Sequence, residues 1–123
     1  MTVHLWRVAS DTPGWTAEDM SGKGAASKGA RWNHPGERVT YAAASISLAA
    51  WETRAHFGRG AALPWNRLLV RIDVPDDVWA ARELLAWPPI IGEEDNVMQN
   101  PAHPDSARIG AVKLRRFLYD RRV

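Results

Sequence analysis

Cysteine is absent from the 123 residues, which removes disulfides, thiolate nucleophiles and zinc–thiolate clusters together. Long apolar runs are absent too. The longest stretch of small apolar residues, from Tyr41 to Trp51, is broken by Ser45 and Ser47, well short of the roughly 20 residues that cross a bilayer. The opening MTVHLWRVAS lacks the basic start and continuous apolar centre of a secretory leader. The expectation is no membrane association and a cytoplasmic location. The histidines, His4, His34, His56 and His103, form no H-x-x-x-H or H-E-x-x-H pair, so no metal site is expected. Gly22-Lys23-Gly24 has neither the spacing nor the preceding strand of a phosphate-binding loop, and no G-x-S-x-G elbow occurs. A dominant charge is lacking as well: sixteen Lys and Arg against fourteen Asp and Glu leave +2, too little to point to nucleic acid.

What is present fits one globular domain. The length allows one core, and 46% hydrophobic with 24% charged residues excludes wholesale disorder. Most of the cations are Arg, whose planar fork suits phosphate or carboxylate. Seven Trp stand beside only two Tyr and two Phe; enlargement of a small core is the expectation for most of them.

Val3 to Ala9 alternates as a strand, with Val3, Leu5 and Arg7 on one face and His4, Trp6 and Val8 on the other. Residues 10–38 are a long, Gly-rich connection with a short helix expected over Thr16 to Met20, Thr16 serving as its N-cap. Val39 to Ala43 reads as a second strand. Ser45 opens a helix from Ile46 to Phe57 that Gly58 stops. Arg67 to Val74 is the clearest strand; Pro75-Asp76-Asp77 then starts a helix to about Ala86, broken by Trp87-Pro88-Pro89. Asn96 to Asn100 is extended, Pro101 to Pro104 a turn, and Arg108–Val112 with Arg116–Tyr119 a closing pair of strands. Strands outnumber helices without alternating with them, so the expected class is α+β with a mixed or antiparallel sheet.

Four residues stand out chemically. Arg7 ends up opposite Trp6 on its strand, where it could face a cleft. Arg31 lies beside Trp32 and could hold a phosphate by a bidentate contact. Tyr41 could stack on a flat ring. Glu52, set among Leu48, Ala49 and Ala55 one helical turn away, could bind a sugar hydroxyl and stabilise positive charge at an anomeric carbon. Bland alternatives exist for each: structural arginines, a core tyrosine, a Glu52–His56 pair. The basic run Lys113, Arg115, Arg116, Arg121 and Arg122 is either a solvated face or a contact for an acidic partner or nucleic acid.

Several segments taken in order resemble the RES domain family, the toxin half of a bacterial toxin–antitoxin pair: LWRVA (5–9), GARWNHPGERVTYAA (29–43), AAWETRAH (49–56), LLVRIDVPDD (68–77), EEDNVMQNPAHPDSARI (93–109) and KLRRFLYDRRV (113–123). The resemblance covers most of the chain and implies one RES domain over 1–123 with an ADP-ribosyltransferase-like fold. It implies NAD+ as substrate, with the nicotinamide–ribose bond broken by hydrolysis, phosphorolysis or ADP-ribosyl transfer. On that pattern Glu52, Arg31 and Tyr41 are catalytic. Arg7, Arg31, Trp32 and Tyr41 bind the dinucleotide, and no metal is needed. The implied partner is a helix-turn-helix antitoxin of Xre type, with DNA reached only through it.

One departure bears on activity. The family's Ser falls where this sequence has Pro88, and the segment around 86–92 is shortened, as if a helix and a strand were missing. A missing strand exposes backbone and an apolar face, so a homodimer that fills the gap is one expectation. The alternative to an active toxin is a catalytically impaired RES remnant that only binds its antitoxin or itself. A basic nucleic-acid-binding module is the third reading.

Overall fold

A computed structural model of the protein describes residues 1–30, 33–56, 65–83 and 95–119. Its elements, in chain order, are β1 (Thr2–Ala9), α1 (Lys23–Lys28), β2 (Thr40–Ala43), α2 (Ile46–His56), β3 (Arg67–Pro75), α3 (Asp76–Ala80), β4 (Asn96–Gln99), a 3-10 turn (Pro104–Arg108) and β5 (Gly110–Phe117). The strands form one five-stranded sheet in the order β4-β2-β1-β3-β5. Every neighbouring pair is antiparallel. The class is α+β.

One face of the sheet is covered along β1 and β3; the other is covered only toward Val8 and Leu69, and beyond that it carries His4, Arg71 and Asp73. On one face Leu5, Val70, Ile72 and Val74 pack with Ala17 of the following loop, and with Val78 and Trp79 of α3 at the margin. On the other, Val8, Ala43 and Leu69 pack against Leu48 and Ala49 of α2. The β1–β3 register places Val3 opposite Val74, Leu5 opposite Ile72 and Val8 opposite Leu69, so each cross-strand pair belongs to one core. Helix α2 starts as expected: the Leu48 backbone N–H donates to Ser45 Oγ at 3.0 Å.

Three local expectations are corrected. Residues 16–20 are not helical, because their backbone groups are taken by distant side chains. The Ala17 N–H donates to Asp11 Oδ1 at 2.8 Å, and Arg7 draws in the carbonyls of Ala17 and Asp19. The helix of this connection is α1 instead, in the Ala-containing stretch that follows. Helix α3 stops at Ala80, and residues 84–94, where its expected end and Pro88 lie, are outside the described residues. The two closing strands are one, β5. Nothing between Val112 and Arg116 can turn the chain, and a bulge at Leu114 absorbs the break in alternation: Leu69 pairs with Arg115 and Val70 with Lys113.

Among the described residues no tryptophan is fully buried, and the fully buried apolar residues are Leu, Val, Ile and Ala, with Trp6 and Trp79 packed at the core's edge. Trp6, Trp15 and Trp79 are half-buried, and Trp51 and Trp65 are exposed. A two-sided core over short elements has little depth, so indoles sit at its rim.

The cations of β5 find local partners. Lys113 Nζ lies 2.9 Å from Asp11 and 3.7 Å from Glu18, pinning the long loop to the sheet edge. The Asp11 carboxyl is held below its ordinary 3.8 by the Ala17 N–H and by Lys113. Glu18 is held below 4.5 by the Thr16 hydroxyl and its own backbone, against some desolvation. Arg108 does the same to Asp77. These groups bind protons less readily folded than unfolded, so their contribution is complete above about pH 4.5 and fades as pH falls through their folded values. The melting temperature, followed by circular dichroism, should be flat from pH 7 to about 5 and fall below about 4. Asp11→Asn should flatten that fall; an unchanged acid slope would remove Asp11 from its cause.

Candidate active site

The sheet is split. Strand β1 pairs with β3 along its whole length but meets β2 at a single register position, Trp6 opposite Ala43. Past that point β1 and β2 make no ladder pairs with each other, and side chains bridge their facing edges. The Arg7 Nε donates to the Tyr41 carbonyl at 3.1 Å, across the split. The Thr53 hydroxyl of α2 reaches the Val8 carbonyl at 3.3 Å and the Ala49 carbonyl at 2.8 Å. A cleft of about 540 Å³ runs along this opening. Arg7, Tyr41, Ala42, Glu52, Thr53 and Asn96 all line it.

Arg7 is the brace of one wall. Besides Tyr41, its Nη1 donates to the carbonyls of Ala17 at 3.1 Å and Asp19 at 2.8 Å, and Nη2 approaches Met20 Sδ at 3.2 Å. Burial lowers the guanidinium from its ordinary value to about 10, with the Asp19 carboxylate pulling the other way. Its fork therefore holds the loop 17–20 and strand β2 to β1, and it lines the cleft beside Tyr41.

Tyr41 and Glu52 come from different elements and meet the same cleft. Tyr41 is half-buried on β2, and its hydroxyl donates to Asn33 Oδ1. Asn33 is itself buried, with its amide nitrogen 3.0 Å from the Ala25 carbonyl and 3.2 Å from those of His34 and Glu37. One asparagine thus ties α1, the following turn and the tyrosine ring into a unit. Glu52 lies on the face of α2 toward the split, where its Oε1 accepts from Asn96 Nδ2 at 2.8 Å. The His56 side chain, its alternative partner in sequence, is outside the described residues.

Arg31 and Trp32 are outside the described residues, so their expected roles have no geometry here. Their neighbours do: Ala30 lines the cleft, and Ala30 and Asn33 exchange backbone hydrogen bonds. The far wall needs one glycine and is tight at a second. Gly22 has φ +79°, and a Cβ there would lie 2.8 Å from the Val39 nitrogen. At Gly24 a Cβ would sit 3.2 Å from the Trp15 ring, which closes that side of the cleft. Sequence reasoning missed Asn33 and Asn96. Asn33 was visible only as the last letter of ARWN, and Asn96 as the start of an extended piece; neither position signals where its amide goes.

The family profile described as RES domain matches residues 4–120. A Prs ADP-ribosylating toxin of Sphingobium sp. strain YBL2 is 38% identical over 158 aligned positions, taking in 100% of this chain and 98% of that protein. That aligned length exceeds the 123 residues here, so this chain is the shorter one within the shared span. A protein named Toxin Res from Yersinia enterocolitica serotype O:8 is 34% identical over 100 positions, covering 81% of this chain and 61% of that protein.

Proposed function

The chain belongs to the RES domain family, and from that premise we propose that it is a toxin that cleaves the nicotinamide–ribose bond of NAD+. One observation carries the reading: Arg7, Tyr41 and Glu52 line one cleft at the split in the sheet. NAD+ is the substrate. The similarity to a protein named as an ADP-ribosylating toxin supports it.

The chemistry needs little from the protein beyond placement. As the bond from C1′ to the pyridinium nitrogen breaks, the bonding pair returns to that nitrogen and nicotinamide leaves neutral. Positive charge develops on the ribose. Glu52 stabilises that charge and holds the ribose hydroxyls. The Tyr41 ring, fixed through Asn33, stacks on nicotinamide. Arg31, with Trp32, takes the pyrophosphate or ribose side, and Arg7, on the cleft lining, adds its positive field. The acceptor at C1′ is water, phosphate or a protein side chain. The partner is a helix-turn-helix antitoxin of Xre type, and the site of action is the cytoplasm.

Purified protein incubated with NAD+ should release nicotinamide over many turnovers, followed by chromatography. Omitting and adding phosphate, or adding labelled NAD+ to cell extract, separates the three acceptors. A folded protein that leaves NAD+ intact overturns the reading. The length difference from the Sphingobium relative favours one other reading, a remnant that only binds. We place the shortening around residues 86–92. An inactive protein that co-purifies with a co-expressed antitoxin, or sediments as a dimer, would support it.

A further inference from the structure

We infer that Asn96 is a positioning residue of the Glu52 carboxylate, clamping it from β4; the inference rests on the NAD+-cleaving reading above. The contact is 2.8 Å, from Asn96 Nδ2 to Glu52 Oε1, and joins residues 44 positions apart. Its two ends are held independently. Asn96 opens β4 opposite Ala43 in the register, and the Ala44 N–H donates to the Asp95 carbonyl at 2.9 Å just before it. Glu52 sits on α2, which the Thr53 hydroxyl ties to β1 at the Val8 carbonyl. The helix carrying the carboxylate is therefore fixed on the β1 side, and the carboxylate itself on the β4 side.

An amide suits this task. It donates to one carboxylate oxygen and sets the plane of the group without adding a positive charge. A Lys or Arg at the same place would orient Glu52 but cancel the negative field that an oxocarbenium-like ribose needs. Both residues line the cleft, so the orientation set by Asn96 is the one a substrate meets. Asn96 itself makes no bond to the reacting atoms in this scheme; it acts through Glu52.

The order of two variants separates positioning from space filling. Asn96→Asp keeps the shape, removes the donor and sets two carboxyls against each other. Asn96→Ala removes the donor and the bulk. We expect kcat for nicotinamide release to fall about 10- to 100-fold in Asn96→Ala, and further in Asn96→Asp, with KM for NAD+ changed less than about threefold. A packing role predicts the reverse order. Melting temperatures of Asn96→Ala, Glu52→Ala and the double variant supply a readout free of turnover: the double variant should lose less than the two single losses combined. Wild-type turnover with both Asn96 variants at wild-type kcat overturns the positioning role alone. Additive melting losses overturn the contact. An inactive wild type overturns the functional reading, and this inference with it.

Discussion

Glu52→Gln should abolish NAD+ cleavage while leaving the fold intact. The substitution is nearly isosteric, and the new amide can turn its oxygen toward Asn96 Nδ2, which now donates to Glu52 Oε1. Helix α2 keeps its Ser45 cap and its packing through Leu48 and Ala49. Stability should therefore change by less than about 1 kcal/mol. What is lost is the full negative charge at the mouth of the split. Groups that stabilise developing charge in a cleft contribute about 100- to 1000-fold each, and a group that also holds the ribose contributes more. We expect at least a 1000-fold loss in nicotinamide release, about 4 kcal/mol of transition-state stabilisation, with NAD+ binding by calorimetry reduced less than tenfold. Turnover above a tenth of wild type, in protein with a wild-type melting curve, would take Glu52 out of the chemistry.

The framework of the fold was legible because its signals are local. β1 and β3 alternate in sequence, and Ser45 announces α2 one residue before it begins. The long connection was not, because its conformation is decided elsewhere. Thr16 has the right chemistry for an N-cap, yet Asp11 and Arg7 claim the peptide groups that a helix over 16–20 would use. β5 misled for a different reason. As an edge strand it exposes consecutive residues from Val112 to Arg116, so the period-two pattern that marks a half-buried strand is absent there. The site shows the same division. Tyr41 and Glu52 were picked out by type and by the family pattern, but their convergence depends on the single Trp6–Ala43 register position that opens the sheet. The supporting amides, Asn33 and Asn96, act on residues in other elements, and no periodicity encodes an amide's destination.

Arg7 carries the second large effect, and it tests how an arginine serves a binding site. The sequence pattern places it on the dinucleotide; the structure gives its nitrogens to the carbonyls of Tyr41, Ala17 and Asp19. Arg7→Met preserves length and removes all three donors. Each carbonyl left without a partner in a part-buried place costs about 1–3 kcal/mol, less where water from the cleft can reach it. Removing the buried charge recovers some of that, since desolvation already lowers this guanidinium to about 10. A net loss of roughly 3 kcal/mol should follow, about 10 °C in melting temperature for a domain of this size. Without the brace, the wall from Ala17 to Met20 and the strand carrying Tyr41 are free to move apart, so NAD+ affinity should fall together with stability. Arg7→Lys should recover only part, because one ammonium cannot span carbonyls that the fork reaches from two directions. The decisive comparison is between melting and binding. A variant that melts like wild type yet loses NAD+ would make Arg7 a direct ligand contact. One that melts early and, when held folded at low temperature, still binds NAD+ within about threefold would confine Arg7 to holding the split sheet together.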